Sequence, residues 1–357
     1  MTICPEPTLR IELTDLAWAL MLRIAMISTV YKQTPPVGYG GIERVVHTLT
    51  QELVSRGHEV TLFATPGSHC DGTTIEIAGY DSATSPSGIH SRSAFLSEEP
   101  LFAAMAEHLT PDRFDVVHDF SFGNLFVTRY PERLPYIISA CIPIDPPSPR
   151  PNVVACSAAH AGLLGNGARF VRYGLDLSRW PVRYDKERHL VHIAKIAPYK
   201  GQHEGAIAAA LARRELRIVG NVEHSLYHRS IVLPLTWALP GVSYQGETMS
   251  TRDLLLPASA LVQTPKWFDA FPLIILEALA CGTPVIAYGE GGIAEQIDHG
   301  VNGFICHGIR ELAQMIGRAQ EIDPRACREH AEAHFSVARM ADEYGELYAR
   351  VMDGESW

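Results

Sequence analysis

The sequence has 357 residues, of which 46% are hydrophobic and 20% are charged. This is an ordinary globular composition and excludes collagen-like, disordered and coiled-coil chains. Forty acidic side chains against thirty basic ones give a formal net charge of −10, which disfavours non-specific binding to nucleic acids or anionic membranes because those partners select clustered Lys and Arg. At roughly 150 residues per domain, the length predicts two domains.

The cysteines are spread along the chain without any C-x-x-C pair, at Cys4, Cys70, Cys141, Cys156, Cys281, Cys306 and Cys327. This spacing is typical of a reduced, intracellular protein rather than of a disulfide framework or a zinc ribbon. No apolar stretch approaches the roughly 18 residues that span a bilayer, and residues 1–20 are acidic where a secretory signal is basic and then apolar. We therefore expect residues 1–20 to be an N-terminal extension, and the protein to be cytoplasmic with no strong membrane signal.

In the first half of the chain, short apolar runs alternate with amphipathic segments. A strand at 22–29 precedes a Pro/Gly loop that contains Gly40 and Gly41, and a helix follows whose apolar residues recur at three- and four-residue spacing up to Val54. Gly57 is placed to end this helix. Further strands are predicted at 59–64, 115–118, 136–139, 152–156 and 170–173, and a long loop at 65–98.

The same alternation restarts in the second half. Strands are predicted at 189–194, 216–220, 242–245, 260–263, 284–287 and 303–306. The polar segment 174–188 fits a linker. Ser336 is placed to cap a final amphipathic helix that runs to Val351.

This alternation predicts an α/β fold in which helices cover both faces of a parallel sheet. We predict two Rossmann-like, doubly wound domains, at 21–180 and 186–330. A C-terminal helical segment at 335–357 is expected to return to the first domain.

Segment 265–297 is the richest in candidate site residues. Pro272 suits the first turn of a helix that runs to about Ala280, and Glu277 lies within that helix among Leu, Ile and Ala. A buried carboxylate is costly unless it is hydrogen-bonded, so Glu277 is either a structural residue or a ligand for hydroxyl groups. Asp269 is either a cap for the helix or, with Glu277 and the helix N-terminus, part of a site for a phosphorylated sugar.

Two further features are candidates for binding phosphate. A Gly-rich turn at 289–292 is either a simple tight turn or a place where backbone amides approach a phosphate. Lys195 and Lys200 follow the strand at 189–194, at the edge that faces the crevice in doubly wound folds. They are either solvated surface lysines or two ammonium groups that neutralise a diphosphate.

Other patterns carry less weight. His224 and His228, like His330 and His334, have the i, i+4 spacing that zinc ligands use, but no third ligand is evident in the sequence and sixteen histidines make chance spacing frequent. No G-x-G-x-x-G follows the first strand, which disfavours a dinucleotide oxidoreductase.

The motifs of the second half resemble the C-terminal signature of the retaining GT-B glycosyltransferases of family GT4. That signature has two Glu residues separated by seven others, where this chain has Asp269 and Glu277. The sequence CGTPVIA follows, and then Gly291, Gly292 and Glu295.

The resemblance extends over nearly the whole chain from Met21 onward. The pattern A-K-x-x-x-x-K-G, with Lys195 and Lys200, is similar to the family's G-R-x-x-x-x-K-G. Gly40 and Gly41 match its N-terminal Gly-Gly loop, FDVVHD at 114–119 resembles its strand ending in His-x-His, and FSVARMADEYGELY resembles its closing segment.

The resemblance implies a role for each matching residue. Glu277 would bind the ribose hydroxyls of a nucleotide sugar, and Asp269 the hydroxyls of the donor sugar. Lys195 and Lys200 would hold the diphosphate and stabilise charge on the leaving group. The rest of the implied donor-binding set consists of Gly40, Gly41, Ala270, Phe271, Pro272 and Leu273.

The resemblance also implies a retaining, metal-independent reaction. A nucleotide-diphosphate sugar would be the co-substrate with no other cofactor, and the acceptor would be a small molecule, a glycan or a lipid-linked group. Asp269 and Lys195 stand where the family has Glu and Arg, and Phe120 stands where it has the second His. His118 is a candidate for a direct catalytic role, with a plain strand-end histidine as the alternative, and Asp119 is a weaker candidate.

Two other functions remain open at this point. One is a nucleotide-sugar epimerase or hydrolase on the same fold. The other is a non-catalytic subunit that binds a nucleotide sugar and partners an active transferase, which the changes at Asp269 and Phe120 motivate. No sequence pattern fixes the base, the sugar, the acceptor or the oligomeric state.

Overall fold

The protein is described by a computed structural model that covers residues 21–78, 96–143 and 150–357. The predicted extension at 1–20 lies outside the described residues, as do residues 79–95 of the predicted loop. Within the described ranges the chain forms two parallel sheets, each flanked by helices.

The first sheet has seven parallel strands in the described part of the chain, in the order β3-β2-β1-β4-β5-β6-β7. The strands are β1 (Arg23–Ile27), β2 (Glu59–Ala64), β3 (Thr73–Glu76), β4 (Val116–Asp119), β5 (Tyr136–Ser139), β6 (Val153–Ala155) and β7 (Arg169–Phe170). All four residues of β4 and of β5 are buried, as expected for interior strands covered on both faces.

Two details of this sheet differ from the sequence prediction. Strand β3 lies inside the segment predicted as a loop. Its sequence, TTIE, forms a short, half-exposed edge strand and contains no apolar run that would predict a strand. The predicted strand at 170–173 is only the two-residue β7, which ends before the apolar residues Val171 and Tyr173. Those two residues are buried in the core beyond the end of the sheet.

Four helices accompany the first sheet in the described residues, α1 (Gly41–Ser55), α2 (Glu99–Ala106), α3 (Leu125–Arg129) and α4 (Ala158–Leu164). The predicted apolar face of α1 is buried at Val45, Val46, Leu49 and Leu53. Gly57 ends the helix as predicted, with a positive φ of 93° and its N–H donated to the carbonyl of Val54.

The second sheet has six parallel strands in the described part, in the order β10-β9-β8-β11-β12-β13. The strands are β8 (Leu190–Ile193), β9 (Leu216–Val219), β10 (Val242–Tyr244), β11 (Ala260–Gln263), β12 (Val285–Tyr288) and β13 (Gly303–Cys306). Each lies within one residue of its predicted bounds, because these are short apolar runs, and β8, β11 and β12 are buried on both faces.

The helices of the second half connect these strands and then close the chain. A helix that we name α6 passes from Ser225–Tyr227 through a π-helical segment, His228–Val232, to Leu233–Ala238. The others are α5 (Gln202–Leu211), α7 (Thr251–Leu255), α8 (Leu273–Ala280), α9 (Ile309–Gly317), α10 (Pro324–His334) and α11 (Val337–Met352).

The strand orders fix where the loops that carry candidate residues meet. The order in which successive strands are added reverses between β1 and β4 in the first sheet and between β8 and β11 in the second, although all strands are parallel. In open α/β sheets, ligands bind outside the carboxyl ends of the strands at such a switch point. The loop after β1 carries Gly40 and Gly41, and the loops after β8 and β11 carry the lysines and Asp269.

The final helix, α11, packs back onto the first sheet. Ser336 caps it through its side chain, as predicted. The Tyr348 hydroxyl lies 2.7 Å from the His118 ring on β4, and the Tyr344 hydroxyl lies 2.9 Å from the Ser139 hydroxyl on β5. The chain therefore crosses between its two sheets twice, at the linker and before α11.

Candidate active site

Lys195 lies two residues after β8 and is paired with a carboxylate that the sequence analysis missed. Its Nζ is 2.9 Å from Oε2 of Glu223, and the two side chains are only 10% and 8% exposed. Burial alone would lower the pKa of Lys195, but Tyr39 and Glu223 outweigh burial and raise it. Lys195 is therefore a charged, enclosed side chain rather than a solvated surface lysine.

Lys200 ends a 3₁₀ turn, Pro198–Lys200, and pairs with Asp269 in the loop after β11. Its Nζ is 2.5 Å from Oδ2 of Asp269 and 4.9 Å from the ring centroid of Trp267. An aromatic face favours a nearby cation. Asp269 does not cap α8, whose N-cap position is Pro272, so its side chain serves Lys200 instead.

One tyrosine links these two ion pairs. The Tyr199 hydroxyl donates a hydrogen bond of 2.6 Å to Glu223, and the Tyr199 ring packs edge-on against Trp267. We call the resulting chain of contacts the lysine–carboxylate network; its members are Lys195, Glu223, Tyr199, Trp267, Lys200 and Asp269.

Glu277 lies on α8 and is 4% exposed. Its Oε2 accepts a hydrogen bond of 2.6 Å from the Thr251 hydroxyl at the start of α7. Burial raises the pKa of Glu277, while the guanidinium of Arg44, from the first-sheet helix α1, acts in the opposite direction. The carboxylate is thus held by a hydroxyl and faces a cation from across the cleft.

The Gly-rich turn after β12 supports Asp269 rather than presenting free amides. The N–H of Gly292 donates to the Asp269 carbonyl at 2.8 Å. Gly291 has a φ of +62°, and a Cβ on Gly292 would lie 2.0 Å from the Ala270 carbonyl oxygen. Of the two interpretations of this turn, the simple tight turn applies at Gly292, whose amide is already used.

The predicted donor-binding segment after Asp269 is largely enclosed. Ala270 is 3% exposed, and its carbonyl accepts a hydrogen bond from Ser157, the N-cap residue of α4. The Phe271 ring packs between Tyr173 and Phe335, so only its backbone can face a ligand.

A first-sheet loop forms the opposite wall of the site. Gly40 has no room for a side chain, since a Cβ there would lie 2.5 Å from Pro36. A Cβ on Gly41 would lie 3.9 Å from Leu273 at the start of α8. The Tyr39 ring centroid is 4.7 Å from the Lys195 Nζ, so this loop contacts the lysine–carboxylate network directly.

Glu295 bridges the two sheets beside the same segment. Its carboxylate accepts hydrogen bonds from the backbone N–H groups of Ala158 and Ala159, at the N-terminus of α4. It also pairs with Arg172 at 2.9 Å. A negative charge at a helix N-terminus is favourable, so Glu295 stabilises the contact between the two sheets at α4.

The predicted catalytic role of His118 is not supported by its position. The side chain is fully buried, with Nδ1 2.7 Å from the Tyr348 hydroxyl and Nε2 2.8 Å from the Ser139 hydroxyl. Burial lowers the pKa of His118, which keeps the ring neutral. Both nitrogens are already used, so His118 joins β4, β5 and α11 rather than contacting a substrate.

Asp119, the weaker candidate, is also fully buried. Its Oδ1 accepts the N–H of Ser121 at 2.8 Å. Burial raises the pKa of Asp119 to about 6.

The histidines with i, i+4 spacing have other partners. His224 caps the start of α6 through its ring nitrogen, and His228 packs against Tyr244. Among the described residues, no group of three or more His, Cys, Asp or Glu side chains is arranged to hold a metal ion.

Comparisons with known proteins decide the family. The family model for Glycosyl transferases group 1 matches residues 177–319, and that for Glycosyltransferase Family 4 matches residues 39–140. The chain belongs to the family 4 glycosyltransferases. The first match contains Lys195, Lys200, Asp269 and Glu277, and the second begins just before Gly40.

Curated relatives agree with this family. Glycogen synthase of Mycobacterium tuberculosis is 22% identical over an alignment of 415 positions, gaps included, which covers 94% of this chain and 96% of the relative. D-inositol 3-phosphate glycosyltransferase of Mycolicibacterium smegmatis is 38% identical over 101 residues, or 27% of this chain and 23% of the relative. The predicted glycosyltransferase activity is confirmed at this general level.

Solved structures show the same fold. AviGT4, a glycosyltransferase involved in avilamycin A biosynthesis, superposes with a TM-score of 0.76 at 24% identity and covers 94% of this chain and 99% of its own. Sucrose-phosphate synthase of Thermosynechococcus elongatus gives 0.73 at 18% identity, covering 93% and 99%. The predicted GT-B architecture of two Rossmann-like domains is confirmed, while the exact domain bounds stay a prediction.

The membrane question has a limited structural answer. Across the described ranges of this glycosyltransferase, every helix is too short or too polar to cross a bilayer.

Proposed function

We propose that this glycosyltransferase binds a nucleotide-diphosphate sugar at the carboxyl edge of the second sheet and transfers the sugar, with retention of anomeric configuration, to a hydroxyl acceptor in the cleft. The observation that carries the proposal is the lysine–carboxylate network. Two enclosed ammonium groups lie in the loop after β8, each paired with a carboxylate of another loop, and Tyr39 of the glycine loop of the other sheet contacts Lys195.

The diphosphate is the group that fits these lysines best. Glu223 and Asp269 neutralise Lys195 and Lys200. A diphosphate brings more negative charge than either carboxylate and therefore competes for both ammonium groups. As Asp269 yields Lys200 to the phosphate, its oxygens become available to hydroxyl groups of the donor sugar.

Glu277 is proposed to recognise the ribose. Its carboxylate already accepts a hydrogen bond from one hydroxyl, that of Thr251. A carboxylate has acceptor capacity for more than one hydroxyl, so the two ribose hydroxyls are suitable partners. The guanidinium of Arg44, on the first-sheet helix α1, lowers the pKa of Glu277 and so favours its charged form, against the effect of burial.

The proposed reaction is an exchange at the anomeric carbon. The bond from this carbon to the diphosphate oxygen breaks, and the acceptor oxygen forms a new bond on the same face. The acceptor proton passes to the leaving diphosphate oxygen, so no protein nucleophile is invoked. Lys195 and Lys200 stabilise the charge that develops on the diphosphate, and we propose that they do so in place of a metal ion.

The acceptor is proposed to enter from the first sheet. A shallow depression lies at the carboxyl ends of β4 and β5. Its lining combines aromatic and polar side chains, including Phe122, Asn124 and Arg150. This mixture suits a hydroxyl-bearing acceptor with one apolar face.

A turnover assay tests the proposal. Purified protein would be incubated with each of the glucose esters of UDP, GDP, ADP and dTDP and with a panel of hydroxyl acceptors. We expect a glycosylated product, and we expect its anomeric proton signal in NMR to show the donor's configuration. An inverted product contradicts retention, whereas an epimerised or hydrolysed donor, or donor binding without turnover, contradicts the transfer reaction.

A further inference from the structure

Lysine is rare in this protein and its positions are informative. Only five of the thirty basic side chains are lysines, at positions 32, 186, 195, 200 and 266. Lys195 and Lys200 belong to the lysine–carboxylate network. Lys186 is half-buried, and its ammonium donates to the carbonyls of Leu256 and Cys281.

Of the two remaining lysines, Lys266 is 45% exposed and pairs with Glu204. Lys32 has no such structural partner: it lies in the loop after β1, half-buried, and forms no ion pair with any residue in the described ranges. Lys32 therefore places an ammonium group in the loop after β1 without a direct ion pair among the described residues.

The charge balance of the donor site favours an additional cation. Lys195 is matched by Glu223, and Lys200 by Asp269, so the two pairs sum to zero. A nucleoside diphosphate adds at least two negative charges to this enclosed space. An additional cation therefore lowers the electrostatic cost of binding it.

Lys32 lies where that cation is needed. Its Nζ is 5.6 Å from the Tyr39 ring centroid, and the Nζ of Lys195 is 4.7 Å from the same centroid. One exposed tyrosine of the glycine loop thus contacts an ammonium group from each wall of the cleft.

The carboxyl group of Glu43, at the start of α1, interacts electrostatically with Lys32. Glu43 is 5% exposed, and its carboxyl group accepts a hydrogen bond from the Thr29 hydroxyl. Burial raises the pKa of Glu43, although Lys32 and Lys195 act against this effect. Glu43 bonds to Thr29 and forms no ion pair with Lys32, so the Lys32 ammonium group has no direct counter-ion among the described residues.

We propose that Lys32 is a third ammonium group of the donor site, which contacts the diphosphate from the first-sheet wall, with Tyr39 positioning it beside Lys195. This inference rests on the proposed function, since it concerns the same diphosphate. Lysine suits the task because its compact charge on a flexible stem reaches a phosphate oxygen without the fixed fork of arginine.

The rarity of lysine makes a direct footprint possible in the unmodified protein. Lysines would be dimethylated briefly with formaldehyde and a borohydride, with and without UDP, GDP, ADP or dTDP, and the modified positions quantified by mass spectrometry. The nucleotide that binds is expected to protect Lys32 several-fold and to leave Lys266 unchanged. The corresponding nucleoside, which lacks phosphate, is expected to give no protection of Lys32.

A variant measures the contribution of Lys32 to affinity. Lys32→Gln is expected to weaken binding of the same nucleoside diphosphate about tenfold, the typical cost of losing one charge-assisted hydrogen bond. It is also expected to make that binding less sensitive to salt. Arg318→Gln removes one positive charge at an exposed position that pairs with Glu321 and is the matched control, with unchanged binding.

The outcomes separate this inference from the proposed function. If no nucleoside diphosphate binds the wild-type protein, the proposed function fails. If one binds, but Lys32 stays equally reactive and Lys32→Gln binds it as tightly as wild type does, the donor site stands and the role of Lys32 is overturned.

Discussion

Lys200 and Asp269 meet at 2.5 Å between Nζ and Oδ2, although they lie 69 positions apart in the sequence. The loops after β8 and β11 bring them together at the switch point of the second sheet. Each neutralises the other, which allows both charges to be enclosed in the cleft. Because of this pairing, the diphosphate of a sugar donor has to replace the Asp269 carboxylate at Lys200.

Glu277→Gln tests ribose recognition. The amide keeps one acceptor oxygen and loses the charge, so we expect donor affinity to fall about tenfold, the cost of weakening charge-assisted hydrogen bonds. The loss is expected to be much smaller for a 2′-deoxyribose donor than for the matching ribose donor. Isothermal titration of both donors checks this, and an equal loss for both would argue against a contact with the 2′-hydroxyl.

Gly292→Ala tests the support beneath Asp269. The added Cβ would lie 2.0 Å from the Ala270 carbonyl oxygen, so the segment that carries Asp269 has to move. We expect a loss of about 2–3 kcal/mol in the free energy of unfolding, together with a large fall in kcat/KM. Gly317→Ala is the matched control, because a Cβ there meets open space; similar behaviour of the two variants in urea unfolding and kinetics would refute this account.

His118→Ala separates a structural from a catalytic histidine. The change leaves a cavity and breaks two buried hydrogen bonds, to Tyr348 and Ser139, so we expect the free energy of unfolding to fall by about 3 kcal/mol. Tyr348→Phe removes one of those bonds and is expected to cost about 1 kcal/mol. Turnover per folded molecule should change little in both. A fall of about a hundredfold in kcat at unchanged stability would restore the catalytic interpretation.

Glu98 predicts a pH dependence of stability. Its carboxylate accepts the backbone N–H groups of Phe122 and Gly123, and burial together with Asp119 raises its pKa from 4.5 to about 7. The folded protein therefore binds a proton more tightly than the unfolded chain does. Stability is expected to fall as pH rises from 4.5 to about 7, by up to about 3 kcal/mol.

Urea unfolding between pH 4.5 and 8 measures this dependence. In Glu98→Gln the slope over this range should flatten, since the titrating group is gone. Glu99→Gln is the control, because Glu99 is exposed and its pKa is lowered by Arg129 rather than raised. An unchanged slope in Glu98→Gln would show that other groups carry the pH dependence.

Local patterns were sufficient to predict much of the fold. The second-sheet strands and α1 follow from apolar runs and periodicity, because these segments are buried by their own sequence neighbours in the βαβ units. The loop positions of Lys195 and Lys200 follow from the same pattern. Strand β3 was missed because a short, half-exposed edge strand has no distinctive apolar signal.

The partners within the site were beyond sequence reasoning. Glu223 pairs with Lys195 and Thr251 with Glu277 through side-chain positions that depend on how separate loops meet. For His118, sequence reasoning suggested a role that its position in the structure does not support. A strand-end histidine next to a family motif suggested catalysis, but α11 covers it from more than two hundred residues away, and that contact has no local sequence signal.

The most direct test of the central claim is donor binding by wild-type protein and Lys200→Gln, followed by thermal unfolding with the glucose esters of UDP, GDP, ADP and dTDP. Glutamine keeps a donor for Asp269 but removes the charge. We predict that at least one ester raises the melting temperature of the wild-type protein in a concentration-dependent way, and that Lys200→Gln loses most of this shift. No shift with any ester, or an equal shift in both proteins, would contradict the assignment of the lysine–carboxylate network as the diphosphate site.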